Sequence, residues 1–220
     1  MSTKKLILLH VAALCAVLSA VALDFTALEV DTQMHPADYR ALTDRFEQAD
    51  TTLTVEDMLK VYFGYSFSQN YDPCETFPEV EAAYEAEEYE KALEMAEKAL
   101  ELNPVSLDLN VLALASAERL RERGDMGPRI LHYGIRADMV ATAILESGSG
   151  TDARSPFHVI ASADMTRLLR NVLSIDHIVE RTKVGDIDAI KVVFPGSDRN
   201  HILYFDNTHE KQFFKSHPLQ

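Results

Sequence analysis

The hydrophobic period of this chain changes once, and that change constrains the fold more than any motif in it. From Pro36 onward, apart from a break at Asp50-Thr51-Thr52 and a loop at Ser68–Pro73, and throughout Pro78 to Gly148, apolar residues recur at the three- and four-residue spacing of helices buried along one side. A polar, Gly/Ser-rich stretch follows, Glu146-Ser-Gly-Ser-Gly-Thr-Asp-Ala-Arg-Ser-Pro156. Beyond it, apolar and polar residues alternate as they do in half-buried strands. Helices first and strands last read as an α+β fold. The expected layout is an acidic helical region of about six helices over 23–147, a Gly/Ser connector at 148–156, and a small α+β unit over 157–220. That unit is expected to hold an antiparallel sheet and one helix. From 153 to the end is only 68 residues, near the lower limit for independent stability, so its sheet is expected to pack on the helices.

Local signals place the elements. Residues 23–35 show no clear period and read as an extended arm. Pro36 then opens a helix with Asp38 in its first turn and Tyr39, Leu42, Arg45 and Phe46 at helical spacing. Thr54 with Asp57 three residues on, and Leu53 with Met58, predict a capped and stapled helix start. Two helix pairs follow, 78–86 with 89–102 and 105–123 with 128–147, punctuated by Asn103-Pro104 and by the turn Gly124–Pro128. After the connector come a short strand at Phe157–Ile160, a helix marked by Met165, Leu168, Leu169 and Val172, and strands at 177–183, 187–194 and 201–206.

The N-terminus sets the expected location. Lys4 and Lys5 precede an apolar run from Leu6 to Leu23, which closes on Ser19-Ala20-Val21-Ala22. That order of charge, apolar core and small-residue cleavage site is the grammar of a secretory signal peptide. An uncleaved anchor is the rival reading, but the run is 18 residues, Ala-rich and carries His10, about the minimum for spanning. The expectation is a signal peptide at 1–22, export to the periplasm or beyond, and no membrane span after cleavage. Cys74 is then the one remaining cysteine and cannot close an internal disulfide. Residues 23–152 hold 10 basic and 27 acidic side chains, whereas 153–220 hold 9 and 8. So acidic a surface repels phosphate backbones and anionic headgroups, which argues against nucleic acid and membrane surfaces as partners. Solubility is the plainer account of the charge.

Two resemblances add to this. Glu88-Tyr-Glu-Lys-Ala92-Leu-Glu-Met-Ala96-Glu-Lys-Ala99-Leu-Glu-Leu-Asn-Pro104 resembles the second half of a tetratricopeptide repeat, and Leu112–Asp125 the first half of the next. An ordinary Ala-rich helical hairpin accounts for the same residues. A wider set runs along the chain: Asp50-Thr-Thr-Leu-Thr54, Tyr62-Phe63-Gly64-Tyr65 with Tyr71-Asp72-Pro73, Gly148-Ser149-Gly150, Phe157-His158-Val159-Ile160 and Leu203-Tyr204-Phe205-Asp206. In these the chain is similar to a family of exported bacterial proteins known as domain-of-unknown-function family 4919. The resemblance implies a periplasmic or secreted location and brings no activity with it. The residues after Asp206 stand apart from the resemblance as an extended tail.

Reaction grammar is sparse. The sequence contains no G-x-S-x-G, H-E-x-x-H, Walker lysine loop or C-x-x-C. Ser149 lies between glycines but reads as linker. His158, His177 and His201 each stand near a strand start, without the i, i+4 spacing of a helical zinc pair. Asp186 and Asp188 read as a solvated pair beside a turn, and Cys74 as a small apolar residue. No catalytic residue, cofactor or metal is assigned. The aromatic cluster stands out: Tyr62, Phe63, Tyr65, Phe67, Tyr71 and Phe77 lie within 16 residues. It reads either as an exposed strip that grips a sugar or extended peptide, or as a plug for the open end of the helical array. The weight of aromatics in core energetics favours the plug. The binding candidates are Tyr62, Tyr65, Phe67, Tyr71 and His158. The functional expectation is a non-enzymatic binding module whose partner is another envelope protein or a peptide. The alternative is an envelope enzyme acting on glycans or peptides.

Overall fold

The computed structural model describes residues 25–73, 77–175 and 177–217. The expected signal peptide, its cleavage site and Cys74 lie outside them. Among the described residues, nine α-helices and one four-stranded sheet make up an α+β fold, with most helices ahead of the sheet. No described helix is long and apolar enough to cross a membrane.

The helical part begins with α1 (Phe25–Met34), where an extended arm was expected. Its apolar signal is short: Leu28 and Thr32, four residues apart, are buried, and Thr32 Oγ1 donates to the Leu28 carbonyl at 2.8 Å. One such pair is too little for a visible period, yet it suffices once a core is there to receive it. Pro36 then starts α2 (Pro36–Glu47). The next helix, α3 (Val55–Gly64), opens on the expected capping box: Thr54 Oγ1 accepts from the Asp57 amide, and Asp57 accepts from the Thr54 amide. A 3₁₀ turn at Tyr65–Phe67 ends it. Two hairpins follow, α4 (Pro78–Glu85) with α5 (Tyr89–Leu100) and α6 (Leu107–Arg119) with α7 (Gly127–Glu146). Ala96 and Ala99 of α5 share an apolar cluster with Ala113 and Ala117 of α6, and such small side chains let helix backbones approach closely.

Past residue 156 come β1 (Phe157–His158), α8 (Ser162–Arg167) widening into a π-turn at Leu168–Val172, then β2 (Ile178–Val184), β3 (Ile187–Val193), β4 (Asn200–Asp206) and α9 (Thr208–Ser216). The sheet order is β1-β4-β3-β2. Strands β2, β3 and β4 form the expected antiparallel meander, with Ile190 opposite Leu203. The short β1 pairs parallel with β4, Phe157 opposite Phe205 and His158 opposite Asp206, so the sheet is mixed. A parallel neighbour needs a long crossover, and α8 with the β2–β3 hairpin supplies it. The unit also carries two helices, since the residues after Asp206 fold into α9 instead of trailing as a tail.

One core joins both parts. Phe46, Phe63 and Ile144 from the helices cluster with Leu168, Ile190 and Phe205, each at most 1% exposed. Burial on this scale is worth about 1.5–3 kcal/mol per side chain. The Gly/Ser stretch between the parts is closed on itself. The Gly150 amide donates to the Ser155 carbonyl at 2.9 Å, and the Gly150 carbonyl accepts from Tyr204 of β4 at 2.8 Å.

Candidate functional site

The pairing of β1 with β4 sets two imidazoles beside one carboxylate. His158 Nδ1 lies 3.5 Å from Asp206 Oδ2. The other oxygen of Asp206 accepts from the amide and hydroxyl of Thr208, at 2.9 and 2.5 Å, and so turns the chain into α9. Burial pushes the Asp206 carboxyl up, but contacts from His158 and Thr208 outweigh it and hold the group down to about 2. The first turn of α9 brings His209 against Phe25, at 4.6 Å between ring centroids, and Phe67, at 5.4 Å. Burial, and next the charge of His158, pushes His209 down to about 4, with Asp206 partly opposing. His209 is therefore neutral at physiological pH.

His209 also meets Ser66, Nδ1 to Oγ at 3.1 Å. A Ser–His contact invites a nucleophile reading. Ser66 Oγ, however, donates to the Phe63 carbonyl at 2.7 Å, the shorter contact. His209 then serves as donor to Ser66, the reverse of the polarity a general base needs. Among the described residues no group of three His, Cys, Asp or Glu is placed to hold a metal ion.

Alongside this pair runs an open groove of about 540 Å³ between α1, the turn after α3, and α9. Aromatic rings line it at Phe67, Tyr71 and Phe213, and amides at Gln33, Gln69 and Gln212. Glu29 is the one carboxylate among its described lining residues, which include no lysine or arginine. The chain as a whole has a formal charge of −14.

The sequence candidates divide between groove and core. Phe67 and the edge of Tyr71 line the groove, and His158 sits behind it, 5.1 Å from the Phe25 ring. Tyr62 and Tyr65 are 1% and 5% exposed and face inward. The Tyr65 hydroxyl lies 3.1 Å from the Leu102 carbonyl and 3.2 Å from that of Asn70. Tyr62 donates to Asp164 Oδ2 at 2.8 Å and accepts from the Ile160 amide at 3.3 Å. The Tyr71 hydroxyl donates to the carbonyl of the same Ile160 at 2.5 Å. Two tyrosines thus clasp one residue of the β1–α8 junction. Tyr65→Ala and Tyr71→Ala are each expected to lower stability by about 2–4 kcal/mol. Urea denaturation reads this, and unchanged midpoints would contradict the burial of both rings.

Sequence reading missed His209, Gln212 and Phe213, because 207–217 showed no period long enough to mark a helix. The available signal was Asp206-Asn207-Thr208, an N-terminal turn sequence, with His209 and Phe213 four apart.

The family model for a domain of unknown function, DUF4919, matches residues 29–213. The chain belongs to the DUF4919 family. The match runs through Phe213, so most of α9 lies inside the DUF4919 domain. No match is found among curated proteins or among solved structures.

Proposed function

We propose that this DUF4919 protein is an exported, non-catalytic binding module of the cell envelope that takes an uncharged ligand in the groove beside α9. The N-terminal run of lysines, apolar residues and small residues supports export. The neutrality of the groove carries the binding reading: in a strongly acidic chain, the described lining of this aromatic-walled concavity holds a single carboxylate and no lysine or arginine. Its volume falls within the roughly 300–1,000 Å³ of ligand pockets. The helix pairs α4–α5 and α6–α7, with their tetratricopeptide-like pattern, act as scaffold in this reading. The enzymatic alternative has the Ser66–His209 contact in its favour, and the bond from Ser66 to Phe63 against it.

Thermal melting of residues 23–220 with envelope extract, separated into neutral and anionic fractions, tests the proposal. The neutral fraction should raise Tm, as a hundredfold excess of ligand over Kd adds about 2.7 kcal/mol. Gln69→Ala with Gln212→Ala, both exposed, should leave the free protein's Tm unchanged and abolish the rise. Stabilisation by the anionic fraction, or an undiminished rise in the double variant, would contradict it.

A further inference from the structure

We infer that the occupant of this groove is a neutral saccharide, an inference that rests on the binding reading above. The walls offer groups that both donate and accept. Gln69 and Gln212 carry free amides, with no hydrogen-bond partner among the described residues. Ser66, Ser68 and Ser216 line the same groove. Carboxamides and hydroxyls each present donors and acceptors together, as do the adjacent hydroxyls of a sugar ring.

Flat apolar surface stands beside them. Phe213 and His217 stack at 4.4 Å with 20° between their planes, and Phe67 lies in the same groove. A sugar ring has an apolar C–H face and a polar rim, and this combination of stacked rings and free amides matches both. An extended peptide is matched less well, since it takes its affinity from a row of main-chain groups on a strand edge. This groove is bordered by two helices and a turn. A helical partner needs an apolar trough, and here amides and hydroxyls share the lining. Anionic glycans find no lysine or arginine among the described lining residues and meet Glu29, which already accepts from Gln33 at 3.3 Å.

The test is a glycan array probed with residues 23–220. It carries neutral hexose oligosaccharides of both anomeric linkages, uronate oligomers of equal length, and uncharged Gly-Ser-Gln peptides. Neutral oligosaccharides should bind at least about tenfold better than the uronates and peptides, a difference of roughly 1.4 kcal/mol. Phe67→Ala, or the exposed pair Gln69→Ala with Gln212→Ala should the first fail to fold, should reduce that binding about tenfold or more. Preference for peptide or uronate overturns the saccharide assignment and leaves the groove a binding site. So does an empty array when the neutral envelope fraction still stabilises the protein. An empty array with no stabilisation by any fraction overturns both readings.

Discussion

Replacing Asp164 by alanine is expected to destabilise the protein by about 3–5 kcal/mol. Asp164 is 3% exposed. One of its oxygens accepts from the Tyr62 hydroxyl at 2.8 Å, the other from the Leu107 amide at 3.0 Å in the first turn of α6. The carboxyl therefore ties α3, α6 and α8 together and satisfies a helix N-terminus. Alanine leaves two buried donors unpaired, at about 1–3 kcal/mol each. Asparagine separates this role from charge. Burial pushes the Asp164 carboxyl from its ordinary 3.8 up to about 7, against the hydrogen bonds from Tyr62 and Leu107. Between these values the unfolded chain has released a proton that the folded chain keeps. Stability from this group is thus fully present below about pH 4 and lost as pH rises towards 7, by roughly 4 kcal/mol. His209 acts in the opposite sense, since its folded value of about 4 lies below the ordinary 6.5. Its contribution is full above pH 6.5 and lost on acidification, by about 1–2 kcal/mol after allowance for its open groove. Asp206, held down to about 2, loses its contribution only below about pH 4. From pH 7 to 5 the wild type should therefore gain stability relative to Asp164→Asn, which lacks the carboxyl that holds a proton on folding, while His209 and His132, the latter also held below its ordinary value by burial, act alike in both. Urea denaturation across that range reads the difference, and parallel profiles would contradict the assignment.

Gly148→Ala is expected to cost about 3 kcal/mol or more. A Cβ at that position would lie 1.9 Å from the Pro156 carbonyl oxygen and 2.7 Å from its carbon. Both are backbone atoms, so relief requires opening the loop that Gly150 bonds to β4. Gly150 adds a second constraint, with φ of +65° and the Phe157 ring 2.1 Å from where a Cβ would stand. Because the core on either side of this loop is continuous, the variant should melt in one transition at lower temperature. Far- and near-ultraviolet circular dichroism should give the same midpoint. Different midpoints in the two signals, or two resolved transitions in either, would contradict a single cooperative unit.

How far the sequence could be read depended on the range of the interactions involved. The capping box of Thr54 and Asp57 and the stop at Asn103-Pro104 are local, and both stand where the residues placed them. The partners of Tyr62 are not local: Asp164 is 102 residues away and Ile160 is 98. An aromatic cluster in sequence therefore looks the same whether its rings face a ligand or a core. Strand β1 is two residues long, too short for its parallel direction to leave a pattern. Among the described side chains, helices α1 and α9 have few that are buried, and both are held by tertiary contacts, such as Phe25 against His209. The groove is assembled from residues near 29–33, 66–71 and 209–217. Only the middle segment carried a signal strong enough to be singled out.

Amide chemical-shift mapping of residues 23–220, titrated with the neutral fraction of envelope extract, tests the location of binding most directly. The account predicts shifts concentrated at Gln33, Gln69, Gln212 and Ser216, the described walls of the groove. Shifts confined to the exposed strand β2 or to the α4–α5 hairpin, with these four unmoved, would contradict it.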